Sequence, residues 1–299
     1  MNADSKISSP AADVLDVTSG DINFYTNGRH ILKTQSSVMI SSSPFLNDAR
    51  IREWTATESL RRNGVDYPLL FGMMPLLEGI WASRDVAYIE TLFDAERKAK
   101  PHIDAWMNEA FLSNMTLEAL EKNPEGSLGR LLHDYMVEKG LSPELAPQVL
   151  NDPNLRPKSG IEYWDFRMSQ THDFYHILGE VGFGVTAEYF VTGFVTGNVF
   201  KHFSPELASK MMCTNTLIMF PWMTRCMLHY GEAWPMLWHN ITHGYEMGLQ
   251  SDLVVTRKFE EVLHLAPAAA REALGMKGFR GPVNCTPSSL VFGEGREIF

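Results

Sequence analysis

PEGSLGRLLHDYMVEKG, residues 124–140, places Leu128, Leu131, Leu132, Tyr135 and Met136 at steps of three and four residues. That recurrence puts the apolar side chains on one face of an α-helix of about 3.6 residues per turn. Pro124 opens the stretch and Gly140 closes it, as a C-cap glycine does. The same pattern continues on both sides. Upstream it recurs at 103–112 and 117–122. Downstream, beyond Pro143, Pro147, Pro153 and Pro157, it recurs over 163–178 and, with breaks, over 186–210. Residues 253–263 read as the last strong helix, and 267–276 as a helix with proline in its first turn. Strand patterns are scarce and there is no internal repeat.

The 299 residues are 44% hydrophobic and 21% charged, a globular balance that needs no disulfides to hold a core. The expectation is an all-α fold: a single multi-helix, metal-binding domain over 56–276. A poorly ordered Ser-, Asp- and Ala-rich arm (1–55) precedes it, and an irregular tail (277–299) follows. The most apolar stretch, 211–238, is interrupted by Thr, Asn, Arg, His and Glu and punctuated by Pro221 and Pro235. It reads as core helix, part of which can rest on a membrane surface, and nothing reads as a transmembrane span. A net charge of −10 repels phosphate backbones and excludes nucleic acid as a partner. Cys213, Cys226 and Cys285 form no CxxC pair. With no apolar leader at the N-terminus, they point to a reducing compartment.

The chemistry concentrates in THDFYHILGEVGFGVTAE, residues 171–188. His172 and His176 are four residues apart, so one helix face presents two imidazoles to one ion. Asp173 lies about 100° further round that helix. It reaches the same ion from the flank or orients a ligand histidine from behind. Gly179, Gly182 and Gly184 make a turn that brings Glu188 back on the following helix, and facing helices with inward ligands form a metal site. His229, Glu232, His239, His243 and Glu246 form a weaker constellation, a second metal site or a polar helix face beside a cleft. GEVGFG follows no strand and is no dinucleotide fingerprint. An HExxH-type hydrolase is disfavoured, because Asp173 is shorter than the glutamate base of such helices. Sixteen methionines and seven tryptophans suit an adaptable interior and a long hydrophobic ligand, though core filling explains them equally.

The spacing H172-D173-x-x-H176, eleven residues, E188 resembles the signature of the fourth Coq protein family of ubiquinone (coenzyme Q) biosynthesis. NPEGSLGRLLHDYMVEKGLSPEL (123–145) and GYEMGLQSDLVVTRKFEEVLHLAPAAAREALGM (244–276) resemble the flanking family segments, so the likeness covers about residues 105–276. Ser169 stands where the family commonly has Arg, with Arg167 nearby. Ala187 stands where Gly is usual, and the first hundred residues align with nothing in the family. The resemblance implies a helical, homodimeric, zinc-binding protein, peripheral on the inner face of a bacterial cytoplasmic membrane. It makes His172, Asp173, His176 and Glu188 the metal ligands. The implied activity is oxidative decarboxylation of a polyprenylated hydroxybenzoate at the ring carboxyl carbon. The alternative is a non-catalytic scaffold that binds an isoprenoid lipid and organises the other quinone-biosynthesis enzymes. Imidazole and carboxylate ligands suit iron or manganese as well as zinc.

Overall fold

The computed structural model describes residues 41–60, 73–143 and 154–283. Among these the chain forms twelve helices and no strand, so it is all-α as expected. They are α1 (Ala49–Leu60), α2 (Met73–Ser83), α3 (Val86–Ala99), α4 (Pro101–Glu109), α5 (Leu117–Glu121), α6 (Leu128–Lys139), α7 (Gly160–Gly179), α8 (Val185–His202), α9 (Pro205–Met211), α10 (Cys213–His229), α11 (Trp234–Gln250) and α12 (Pro267–Leu274). Helix α1 spans the boundary drawn at residue 55 and buries Ile51 and Trp54 within the compact unit that begins at Ser43. Most of the expected arm, the tail beyond Val283 and Cys285 lie outside the described residues.

Side-chain caps start the helices where polar residues precede an apolar run. Asp85, Thr116, Ser127 and Ser159 each accept a hydrogen bond from the backbone N–H three residues on. Gly140, at φ 66°, ends α6 as expected. Helices α2 and α3 lie outside the stretches expected to be helical, although α3 carries an apolar face through Ile89 and Phe93. In MMPLLEGIWAS, Pro75 sits in the first turn and the apolar residues surround the helix, so no polar face marks it.

One expected helix is absent. Residues 253–263 form two short 3₁₀ turns, Val254–Thr256 and Phe259–Glu261, joined by extended backbone. Side chains from elsewhere engage the backbone groups that a helix would need. Asn198 bonds the Asp252 carbonyl and the Val254 N–H, and the Arg167 guanidinium takes the carbonyl of Arg257 at 2.8 Å. The first free N–H groups of α6, on Leu128 and Gly129, each donate at 2.8 Å to the carbonyls of Leu265 and Leu263.

The closest packing is between α8 and α11. Gly193 and Gly197 on α8 face Gly244 and Gly248 on α11. A Cβ placed on any of the four would stand 2.0–2.2 Å from a carbonyl oxygen of the opposite helix. The helices therefore touch through their backbones, and α8 is buried along most of its length. Gly248→Ala is expected to force the pair apart and cost about 1–3 kcal/mol or more, as overpacking does. Gly231→Ala, whose Cβ would meet nothing closer than 3.9 Å, should leave stability nearly unchanged. Thermal unfolding of the two variants checks this; equal melting temperatures would contradict it.

Candidate metal centre

Helix α7 ends one turn after His176. Its C-cap, Glu180, adopts the left-handed conformation at φ 53°, a region usually left to glycine. Two contacts hold it there. The Val181 N–H donates to the His176 carbonyl at 3.2 Å, and the Glu180 carboxylate pairs with Arg271 at 2.9 Å. Gly182, at φ 70°, completes the reversal, and Gly184 opens α8. Gly179 serves contact rather than turning: a Cβ there would lie 2.3 Å from the Phe190 ring. The turn lays α8 back against α7 and puts Glu188 in the first turn of α8, where the helix dipole favours a carboxylate.

His172, His176 and Glu188 meet there. One ligand atom from each lies within 4.8 Å of the others, and no other such group of three occurs among the described residues. Glu188 Oε2 is 3.0 Å from His172 Nε2, and Glu188 Oε1 is 3.3 Å from His176 Nε2. Asp173 stands beside the cluster, its Oδ1 3.1 Å from His172 Nδ1 on the other edge of that ring. His176 is almost fully buried at 1% exposure, whereas His172 is one-third exposed. Phe183, from the turn, stacks on His176 at 5.0 Å, and Tyr135 of α6 stacks on Phe183.

The hydrogen bonds fix what the imidazoles can do. His176 Nδ1 is 2.6 Å from the Gly182 carbonyl, which only accepts, so Nδ1 carries the proton. Nε2 then faces Glu188 Oε1 at 3.3 Å, so a proton or a cation must lie between them. His172 has a carboxylate at each nitrogen, so without another cation it must be imidazolium. Burial works against that charge, but Glu188 and Asp173 outweigh it and raise the pKa from 6.5 to about 10. Burial likewise opposes ionisation of Glu188, yet the two histidines hold its carboxyl far below the usual 4.5. A divalent ion in place of the protons satisfies all three groups, and nitrogen–oxygen donor sets of this kind suit zinc, iron or manganese.

The cluster lines a cavity of about 520 Å³ whose walls are mainly apolar, among them Leu77, Trp164, Met168, Ile218 and Trp222. A second ionic group, which the sequence did not suggest, lies at the same cavity. Arg84, at the end of α2, grips Asp165 of α7 and donates to Thr214 of α10 at 3.1 Å. Burial raises the Asp165 carboxyl above its ordinary value, with Arg84 opposing the rise. The constellation on α10 and α11 does not gather as a ligand set. His243 packs edge-on to Phe190, Glu246 pairs with Arg280 at 2.8 Å, and Glu232 and His239 are exposed. His133 and Asp134 pair on the outer side of α6 at 2.9 Å.

Fold and site together define an all-α protein with a two-histidine, one-carboxylate centre in an apolar cavity. Residues 107–277, more than half of the chain, match the family of the coenzyme Q (ubiquinone) biosynthesis protein Coq4. The chain belongs to that family. Its fold is similar to the crystal structure of a protein from Nostoc punctiforme PCC 73102 provisionally assigned to ubiquinone biosynthesis, with a TM-score of 0.52 and 17% identity over 80% of this chain and 99% of that one. At that identity the likeness is one of fold. The comparison with curated proteins finds no match.

The coupled charges give a signed pH dependence in the metal-free protein. The contribution of His172 is fully present below its unfolded value of 6.5 and lost as pH rises through about 10. That of Glu188 is present above its unfolded value of 4.5 and lost as pH falls towards its depressed folded value. The melting-temperature difference between chelator-treated wild type and Glu188→Gln is therefore expected to be largest between pH 4.5 and 6.5. A pH scan showing a constant difference would contradict the charge assignment.

Proposed function

We propose that the cavity binds a polyprenylated hydroxybenzoate with its ring carboxylate at the His172–His176–Glu188 cluster. The protein then catalyses loss of that carboxyl in an oxidative decarboxylation within ubiquinone assembly. The observation that carries the reading is a partly buried carboxylate–imidazole centre in a cavity that is otherwise mostly apolar. Membership of the Coq4 family supports the pathway.

A divalent metal held by His172, His176 and Glu188, with Asp173 as a further ligand or as support for His172, would supply positive charge to hold the carboxylate and stabilise the charge developing as carbon dioxide leaves. Zinc is the expected ion by family resemblance, and iron and manganese suit the same donors. The side chains prepare the site. The Gly182 carbonyl fixes the His176 tautomer, and Asp173 sets the orientation of His172. Phe183 and Tyr135 cover the His176 ring and keep water from it. In the reaction the bond from the ring carbon to the carboxyl breaks, carbon dioxide leaves and the electron pair stays on the ring. Replacement by hydroxyl would take dioxygen as oxidant: the ring acid, dioxygen and water together would give the ring hydroxyl, carbon dioxide and hydrogen peroxide.

No helix among the described residues is long and apolar enough to cross a membrane. Phe220, Met227 and Leu228 of α10 are 60%, 48% and 58% exposed. They support peripheral contact, on the inner face of a bacterial cytoplasmic membrane, by which a homodimer would take its substrate and meet other quinone-biosynthesis enzymes. The same exposed side chains favour the alternative, a lipid-binding scaffold without turnover. Asp173→Asn separates the two. It preserves shape and removes one charge, so the catalytic reading expects a loss of roughly 10–100-fold in metal affinity or activity at unchanged melting temperature. The assay is carbon dioxide release from a prenylated hydroxybenzoate by purified protein with defined metal, beside quinone content in a complemented null strain. Full quinone content from Asp173→Asn at equal protein level would leave the scaffold reading.

A further inference from the structure

The cavity has two ionic poles on one helix. Asp165 and His172 are seven residues apart on α7, so they share a face, and about 1.5 Å of rise per residue separates their Cα atoms by about 10 Å. Met168 and Ser169 lie between them and also line the cavity. The far pole is built. Asp165 receives both terminal nitrogens of Arg84, whose side chain is 2% exposed, and the same guanidinium donates to Thr214. Both Asp165 and Thr214 face the cavity.

A buried ion pair contributes little net stability, because desolvation offsets its attraction. Here it fixes the direction of a carboxylate that keeps 27% exposure. A carboxylate has about four lone-pair sites. Arg84 takes one on each oxygen and the Trp81 indole N–H bears on a third, which leaves an acceptor site for a ligand. An ionised carboxylate only accepts, so the matching ligand group is a donor. The remaining walls offer it few partners, since Leu77, Met168 and Ile218 are apolar and the Trp222 indole N–H is taken by Glu58.

We propose that Asp165, gripped by Arg84, which is itself anchored on Thr214, is a positioning and specificity-determining residue that accepts a hydrogen bond from a hydroxyl on the ligand's ring, at the end remote from the group bound at the His172–His176–Glu188 cluster. The inference rests on the proposed binding of an aromatic acid in this cavity. The ligand class is an aromatic acid whose hydroxyl lies across the ring from its carboxyl, laid along α7 over Met168 and Ser169. The span is consistent: the poles stand about 10 Å apart along the helix, and such a ring with its two polar ends, one ionic contact and one hydrogen bond fills a distance of that order. The two poles would then fix which ring carbon faces the cluster, and an acid without the hydroxyl would lose that alignment.

The test is equilibrium binding followed by quenching of the cavity tryptophans. The probes are geranylated para-hydroxybenzoate and its para-methoxy ether, offered to metal-loaded protein. The ether keeps ring, tail and carboxylate, loses the donor and gains a methyl group, so the Asp165 variants separate a lost hydrogen bond from a clash. Wild type is expected to bind the hydroxy acid at least about tenfold more tightly, the worth of a hydrogen bond to a charged group. In Asp165→Asn the preference should shrink. In the paired variant Arg84→Leu with Asp165→Leu, which leaves no lone buried charge, it should fall to parity while the ether binds as before. Equal binding of the two probes by wild type would overturn the inference and leave the aromatic-acid reading standing. So would an undiminished preference in the folded paired variant. Failure of wild type to bind either probe would overturn the aromatic-acid reading, and this inference with it.

Discussion

A half-buried carboxylate set between two imidazoles has to be met by positive charge, and the central part of the fold is arranged around that need at Glu188. Moving a carboxylate out of water into an apolar surround costs several kcal/mol unless it is paired. Its partners come from the preceding helix, so α7 and α8 must fold back on each other with little tolerance. The turn is therefore tight, with left-handed backbone at Glu180 and Gly182. The helices close on each other because Gly179 leaves room for Phe190. Helix α8 is held in turn by its glycine contacts with α11, where backbone meets backbone. A displacement of α8 would carry Glu188 away from both histidines at once.

Much of this is legible in the sequence because the signals are local. The four-residue step from His172 to His176 is a helix-face relation, and the glycines before Glu188 announce a reversal. The helical class follows from three- and four-residue periodicity in α6, α7 and α12. What stays hidden depends on partners far along the chain. The spacings Gly193–Gly197 and Gly244–Gly248 stand in the sequence, but neither is informative until the two stripes face each other. The grip of Arg84 on Asp165 joins residues 81 positions apart. Residues 253–263 carry a helical pattern, yet Asn198, Arg167 and the N-terminus of α6 claim their backbone groups. Glu180 takes a conformation that residue type alone would assign to glycine, held by the Val181–His176 backbone bond and by distant Arg271.

The resulting cavity combines two demands that seldom coincide. Its walls suit a hydrophobic tail, and a volume of about 520 Å³ is in the range that holds a drug-sized ligand. Its ionic residues stand at two places, Asp165 on α7 and the cluster that α7 and the start of α8 share. In low dielectric each of those charges acts strongly, so orientation of a bound aromatic acid would come from a few directed contacts rather than from shape alone. The family to which the chain belongs links this arrangement to ubiquinone biosynthesis. Asp173 and the Gly182 carbonyl set the two histidines from behind, an arrangement that orients imidazoles and tunes their basicity toward a cation.

X-ray absorption spectroscopy of the protein purified without chelators tests the central claim most directly, since it reads the donor atoms around the ion. The account predicts a bound divalent metal with two imidazole nitrogens and carboxylate oxygen at about 2.0–2.2 Å, and loss of the metal in His176→Ala. A metal shell without imidazole scattering, or an unchanged spectrum and full occupancy in His176→Ala, would contradict it.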